Sequence, residues 1–253
     1  MGNTNRFDSN NYAFNSGSKK GVYLIHGYSS STYEIKDLAE FLFQNGYTTI
    51  AKNLPGHGTT VDDCNNTKYT NWIKFVETDV AKLASKCDEI HVIGISMGSV
   101  LALHLATLFP INSLISAATV FKFNNEFNVR ILVPLLSWLI TKKDKASQYK
   151  DGNKLQFTGY SEYPLKALNQ MRKLTNYVRP KLKKVKCPTL IIHSKSDRTS
   201  KEDNFHIVNS EIGSNVKNTL IVDNASHNLF CKSIDQKYIF DSILSFLDNH
   251  KKV

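Results

Sequence analysis

The chain has 253 residues, room for one sizeable α/β domain with an insertion and too few to make two full domains the default. Hydrophobic residues at 41% and charged residues at 21% are ordinary globular usage and exclude a mainly disordered chain. The net charge of +10 raises the question of anionic partners, but the lysines are scattered. Their two clusters, Lys142-Lys143-Asp144-Lys145 and Arg179 to Lys186, lack the interleaved aromatics of a nucleic-acid platform. They read as solvated surface, leaving at most weak attraction to a membrane surface and no nucleic-acid partner.

Residues 1–19 are rich in Asn, Ser and Gly, and read as a mobile N-terminal arm. The opening Met1 to Arg6 is polar, neither a secretory signal nor an anchor, and Arg6 stands where a myristoylation signal requires Ser or Thr. Cys64, Cys87, Cys187 and Cys231 lie far apart without metal or redox spacing, and are expected as reduced thiols in a cytoplasmic protein.

From Lys20 onward, short apolar runs alternate with stretches of helical period, the pattern of a mostly parallel sheet covered by helices. Val22 to Ile25 is a continuous apolar run, as in a strand buried on both faces. Ser31 and Glu34 have the spacing of a capping box, before an apolar stripe of Ile35, Leu38, Ala39, Leu42 and Phe43. Strands are expected at 47–54, 90–95, 113–118, 189–193 and 219–222. Helices are expected where Trp72, Val76, Val80, Leu83 and Cys87 recur, over 99–109, over about 202–210, and from Ile234 to Leu247.

About 70 residues between the fourth and fifth of these strands carry no strand signal, far beyond the ~2 to 6 residues of usual α/β connections. This predicts a helical cap over 120–185, inserted into a core formed by 20–119 and 186–253. Within it, 127–140 and 164–184 look helical. Pro164 suits a first helical position, and Pro180 is a candidate breaker. The run Ile131 to Ile140 is half the length needed to span a bilayer. It reads as a buried or substrate-facing wall, with Leu132, Leu135, Leu136, Trp138 and Leu139 as candidate substrate contacts.

Gly94-Ile95-Ser96-Met97-Gly98 lies between a buried strand and a buried helix, where a sharp turn would present the serine hydroxyl at the sheet's carboxyl edge. The plain alternative is that Ser96 only caps the following helix. A serine hydroxyl is a poor nucleophile near neutral pH and needs a base that is itself oriented and charge-stabilised. Asp197 follows the strand ending at His193, and His227 follows the last strand, giving the order Ser, acid, His at carboxyl strand ends. Asp223 is a competitor for Asp197, but it lies only four residues before His227 and would have to fold back on it. His193, Asp197 and His227 could be imagined as metal ligands, yet they match no fixed ligand motif. Oxyanion stabilisation is expected from the backbone N–H groups of Met97 and Tyr28, with His26 structural.

These blocks resemble the bacterial carboxylesterase and monoacylglycerol lipase branch of the α/β-hydrolases. The likeness rests on Leu24-Ile25-His26-Gly27-Tyr28, Leu54-Pro55-Gly56-His57-Gly58, Gly94 to Ser99, Cys187 to His193 ending at Asp197, and Ser226-His227. It implies an α/β-hydrolase fold of about six or seven strands with a helical cap. It also implies hydrolysis of short- to medium-chain carboxylic esters, sometimes monoacylglycerols, without metal or organic cofactor, in a monomer or homodimer. The same triad could serve a thioester, an amide or an aromatic-acid ester, or the chain could bind a ligand without turnover. Two departures stand out. Ser194 replaces a common Gly after the strand-end His, and the N-terminal strands of larger members are missing or reduced.

Overall fold

The computed structural model describes residues 7–145 and 159–250. In chain order the strands are β1 (Tyr12–Phe14), β2 (Lys20–Ile25), β3 (Thr48–Ala51), β4 (Glu89–Ile95), β5 (Ser113–Ala117), β6 (Lys142–Asp144), β7 (Glu162–Pro164), β8 (Thr189–Ser194) and β9 (Lys217–Val222). The six expected strands correspond to β2, β3, β4, β5, β8 and β9. They lie in one seven-stranded sheet of order β1-β3-β2-β4-β5-β8-β9, parallel except for β1. The helices include α1 (Lys36–Gln44), α2 (Val61–Asn66), α3 (Tyr69–Ala84), α4 (Met97–Ala106), α5 (Val133–Leu136), α6 (Leu165–Val178), α7 (Glu202–Glu211) and α8 (Gln236–Asn249).

The alternation along each central strand shows why the sheet is buried on both sides. Tyr23, Ile25, Ile90, Val92, Leu114 and Ile191 enter one core with Trp72, Val76, Val80 and Leu83 of α3 and the apolar residues of α4. Val22, Leu24, Ile93, Ile95, Ile115 and Ile192 enter the opposite core with Leu38, Ala39 and Leu42 of α1 and Ile239, Ile243 and Leu247 of α8. Period-two side chains from a run that is apolar throughout can only be satisfied between two layers of helix.

Three sequence expectations are corrected. The N-terminal arm is ordered from residue 7: Tyr12–Phe14 pairs antiparallel with β3, so one short strand precedes the expected first one. It is docked by Asp8, whose carboxylate accepts from Tyr12 Oη at 2.6 Å and pairs with Lys36 at 3.2 Å. Three residues are too few to show an alternating pattern, which is why the sequence hid it. The capping box at Ser31 and Glu34 does not form. Ser31 Oγ accepts the N–H of Asp8 at 3.0 Å, and Glu34 turns inward to accept the N–H of Gly27 at 2.7 Å. The expected helix over 127–140 is a π-helical turn (Asn128–Leu132) followed by the short α5. Pro134 has no N–H to offer the carbonyl of Arg130, so a regular α-ladder is broken there.

The connection from β5 to β8 holds α5, the antiparallel β6–β7 pair and α6, which packs on α4, α3 and α2. Strands β6 and β7 were not expected. Helix α6 passes into a 3₁₀ turn (Arg179–Lys184) just before Pro180, and Pro164 sits one residue ahead of the helix as its N-cap. Residues 1–6, 146–158 and 251–253, parts of the expected arm, cap and core, lie outside the described residues. Among the described residues no helix is long and apolar enough to cross a membrane. Nor is any group of three His, Cys, Asp or Glu side chains placed to hold a metal ion.

Strand order reverses between β2 and β4: from β2 the chain crosses through α1 to β3 on one side, then returns through α3 to β4 on the other. The loops leaving these two neighbouring strands diverge and open a crevice at the carboxyl edge. There α4 starts with its backbone against β2. A Cβ on Gly98 would lie closer than 3.0 Å to the carbonyls of Ile25 and His26, and one on Gly94 would collide with the backbone of Gly98. Gly98→Ala should therefore cost about 3 kcal/mol, the upper end for overpacking, read as a lowered urea midpoint at unchanged m-value. A midpoint equal to wild type would show that α4 can stand off from β2.

Candidate active site

Ser96 sits between β4 and α4 with φ 57° and ψ −119°, a backbone conformation unusual for a residue with a side chain. The tight packing of Gly94 and Gly98 on either side holds it there and turns Ser96 toward a cavity of about 770 Å³. Its side chain makes no cap to α4, so the helix-cap alternative fails. Met97 is the first residue of α4, and a first-turn N–H has no partner within its own helix.

His227 lines the same cavity from the loop after β9. Its Nδ1 lies 2.7 Å from Asp197 Oδ2, while Asp197 Oδ1 accepts the N–H groups of Thr199 and Ser200 at 2.7 and 2.9 Å. A carboxylate only accepts, so the proton is on Nδ1 and the lone pair of the neutral ring is on Nε2. Among the described residues no hydrogen bond joins Ser96 Oγ to the imidazole; they share one cavity wall. Asp223 is excluded as the partner because it stands at the surface, 2.9 Å from Lys195 Nζ. Ser194 explains its own departure: its hydroxyl donates to the carbonyl of Ala225 and accepts the N–H of Ser196 at 3.2 Å. It thereby ties the loop bearing Asp197 to the loop bearing His227.

Electrostatics couples the pair. Burial alone would push Asp197 up, but the facing imidazole, its hydrogen bond and the two N–H donors outweigh it and hold the carboxyl below the usual range. For His227, burial works against the charged ring, yet the Asp197 charge and hydrogen bond, with Glu34 further off, raise it above its ordinary value.

The loop after β2 is pinned from several sides. His26 Nε2 accepts the N–H of Leu54 at 3.0 Å, so its Nδ1–H donates to the carbonyl of Gly27 at 2.8 Å. Burial lowers His26 to about 4, so the ring stays neutral in this structural role. His57 Nε2 accepts from the N–H of Ser29 at 3.3 Å, and Tyr28 Oη donates to the carbonyl of Pro164 at 2.7 Å. Gly56 and Gly58 have φ of +75° and +71°, which shapes the turn that presents His57.

Of the expected apolar wall, Leu132 and Leu136 line the cavity; Leu135, Trp138 and Leu139 do not, and stand exposed at 62%, 69% and 63%. A continuous apolar run carries no phase, so the sequence could not tell which side of the segment faces inward. Val133 and Ile140 of the expected run line it too, while the lining that the sequence missed includes Val129, Leu165, Leu168 and Met171, besides the buried ions Glu34 and Lys145. Lys145 corrects the reading of its cluster as solvated surface: it is 4% exposed, and burial brings its ammonium down to about 8. The helical period of Leu165, Leu168 and Met171 was a usable signal for α6; nothing in the local sequence marked Glu34 or Lys145.

A parallel sheet with a strained serine after β4 and an Asp–His pair after β8 and β9 defines an α/β-hydrolase. The chain belongs to the Hydrolase_4 family, described as serine aminopeptidase, S33, whose model matches residues 16–233. It is 29% identical over 238 residues to the thermostable monoacylglycerol lipase of Bacillus sp. (strain H-257), covering 91% of each chain. It is 22% identical over 212 residues to the carboxylesterase of Bacillus subtilis (strain 168), covering 83% of this chain and 85% of that one. A solved structure reported for LipS and LipT, two metagenome-derived lipolytic enzymes, superposes with a TM-score of 0.82 at 24% identity, over 92% of this chain and 95% of that chain. At that identity the superposition speaks for the fold alone. The protein is thus an enzyme of the α/β-hydrolase type.

The Asp197–His227 pair makes a direct prediction. An NMR titration should place the His227 midpoint above about 6.5, and Asp197→Asn should move it down; an unchanged midpoint would show that Asp197 does not set the charge on the ring.

Proposed function

We propose that the protein hydrolyses carboxylic esters of short to medium acyl chains, monoacylglycerols among them, through an acyl-enzyme on Ser96. The observation that carries this reading is the strained serine sharing a cavity with a histidine whose Nδ1 is held 2.7 Å from a buried carboxylate. In the first step Nε2 of His227 takes the proton of Ser96 Oγ as the oxygen attacks the ester carbonyl. The N–H groups of Met97 and Tyr28 receive the oxyanion, and Asp197 stabilises the imidazolium. Collapse breaks the acyl–oxygen bond while His227 returns the proton to the departing alcohol. Water then attacks the acyl-enzyme with His227 again as base, releasing the acid and restoring Ser96.

The cavity chemistry bears on the substrate. Leu132, Leu136, Leu165, Leu168 and Met171 offer an apolar wall suited to an acyl chain. The family description mentions an aminopeptidase, which would have to hold a peptide's α-ammonium. Against that, Glu34 is the one carboxylate lining the cavity among the described residues, alongside Lys142, Lys143, Lys145 and Arg198. That sign of charge repels an α-ammonium, which favours esters over peptides. The exposed Leu135, Trp138 and Leu139, with the net charge of +10, fit a weak attraction to anionic lipid surfaces.

Ser96→Ala should reduce hydrolysis of a chromogenic short-chain ester by at least about 10⁴-fold with an unchanged circular dichroism spectrum, and should abolish labelling by a fluorophosphonate. Retained turnover would overturn the nucleophile assignment. Leu136→Ala should shift the acyl-length profile measured on a series of esters, whereas Leu135→Ala should leave it in place. The reverse pattern would remove this segment from the acyl wall.

A further inference from the structure

Glu34 is 3% exposed in the wall of the Ser96 cavity, in a place where a lone carboxylate would be costly. Its Oε2 accepts the N–H of Gly27 at 2.7 Å. Gly27 lies between the two groups: a Cβ placed on it would be 3.1 Å from Glu34 Oε2 and 3.1 Å from Ser96 Cβ. On the other side of the same residue, the Gly27 carbonyl accepts from His26 Nδ1 at 2.8 Å and from the N–H of Ser30 at 3.4 Å. Both peptides flanking the Gly27 Cα are therefore anchored. Peptide planarity then fixes the N–H of Tyr28, which points opposite the anchored Gly27 carbonyl.

We propose that Glu34 is a positioning residue of the oxyanion pocket, its carboxylate gripping the Gly27 N–H so that the Gly27–Tyr28 peptide is held with its N–H turned toward the reacting carbonyl beside Ser96. The proposal rests on the reading of Ser96 as nucleophile and Tyr28 as oxyanion donor. Glycine at position 27 has the widest backbone freedom of any residue, so the loop needs a clamp at the point where a rotation of the peptide would withdraw the donor. A negative charge so close to a developing oxyanion would oppose it unless balanced. Lys145, one residue after β6, lines the same cavity and supplies the counter-charge; His227 lines it from the loop after β9, and Cys64 of α2 acts electrostatically on Lys145. Burial raises Glu34, while the Gly27 N–H, His227 and Lys145 work to keep it ionised.

The test compares three full-length variants using a chromogenic ester at pH 8. Glu34→Gln keeps an acceptor for Gly27 N–H and should retain kcat within about threefold, whereas Glu34→Leu, which loses the acceptor, should lose roughly 10²-fold in kcat with little change in KM, the typical scale for a lost oxyanion donor. Glu34→Gln should also move the acid limb of kcat to lower pH, because one of the charges that raises His227 is gone. If Glu34→Leu fails to fold by circular dichroism, Glu34→Asp replaces it: its shorter arm keeps the charge but withdraws from Gly27, and it should show the same loss in kcat. Wild-type kcat in Glu34→Leu or Glu34→Asp, a loss confined to KM, or a Glu34→Gln variant as slow as Glu34→Leu would overturn the clamp. Ser96→Ala in the same assay separates the two readings. Turnover without Ser96 defeats the nucleophile assignment, while turnover lost without Ser96 but kept without Glu34 defeats only this proposal.

Discussion

The site depends on one close approach, that of the first turn of α4 to the end of β2. Because Gly94 and Gly98 lack side chains, the chain leaving β4 can reverse within one residue and lay its helix against the carbonyls of Ile25 and His26. The strain of that reversal falls on Ser96, whose φ of 57° is maintained by a buried helix that has nowhere else to pack. The same approach brings the N-terminus of α4 beside the loop after β2, so Ser96 from one element and Gly27 to Ser30 from the other border one cavity. A larger residue at either glycine would disturb the serine and the neighbouring loop together, since they are parts of a single packing arrangement.

Much of this could be read from residue pattern, and the boundary between what could and could not has a physical basis. Strands β2, β4, β5 and β8 are buried along nearly their whole length and rich in apolar residues because both faces are covered, and that signal needs no knowledge of the fold. Ser96 and Asp197 were visible because each follows such a strand; His227 follows β9, a partly exposed edge strand, and was legible from the chain order Ser, acid, His, and the structure joins Asp197 to it. Glu34 misled for an equally physical reason: Ser-x-x-Glu before an apolar stripe is locally a capping signal, but the demand of Gly27 for an acceptor, from seven residues back, took the carboxylate instead. Lys145 was hidden because a lysine-rich tetrapeptide looks solvated until a tertiary cavity closes around one member. The three-residue β1 and the π-helical turn before Pro134 failed for want of length: neither spans enough residues to establish a period.

Three titrating groups in or beside the cavity have been moved in directions that fit together. His26 is driven down to about 4 and so keeps one tautomer, with Nε2 receiving from Leu54 and Nδ1 giving to Gly27, at any pH where the protein would work. His227 is raised by Asp197 and, less directly, by Glu34, so its charged form is favoured more than in water. Lys145 is lowered to about 8 by burial, against which the charge of Glu34 works to keep the ammonium. Two histidines in one site thus carry opposite shifts, and the cause is the neighbour: His26 is buried with backbone hydrogen-bond partners and the ring of His57 5.0 Å away, whereas His227 meets carboxylates.

For the mechanism proposed above, the raised His227 has a cost for a base and a benefit for the step that follows. A ring that holds its proton more tightly is available as the free base only at higher pH, yet it accepts the serine proton with greater driving force once it is free. In the mechanism we propose, tight coupling is favoured because the imidazolium is a transient whose charge must be stabilised while the oxyanion exists, and Asp197 is placed to do so. Its Oδ1 is occupied by the N–H groups of Thr199 and Ser200, leaving Oδ2 with one partner and one orientation. Ser194, by joining the Asp197 loop to the carbonyl of Ala225, carries that orientation across to the strand end from which His227 emerges. The alignment of the pair is therefore set by hydrogen bonds between two loops rather than by either loop alone, which is how residues 30 positions apart in the chain can be held as one unit.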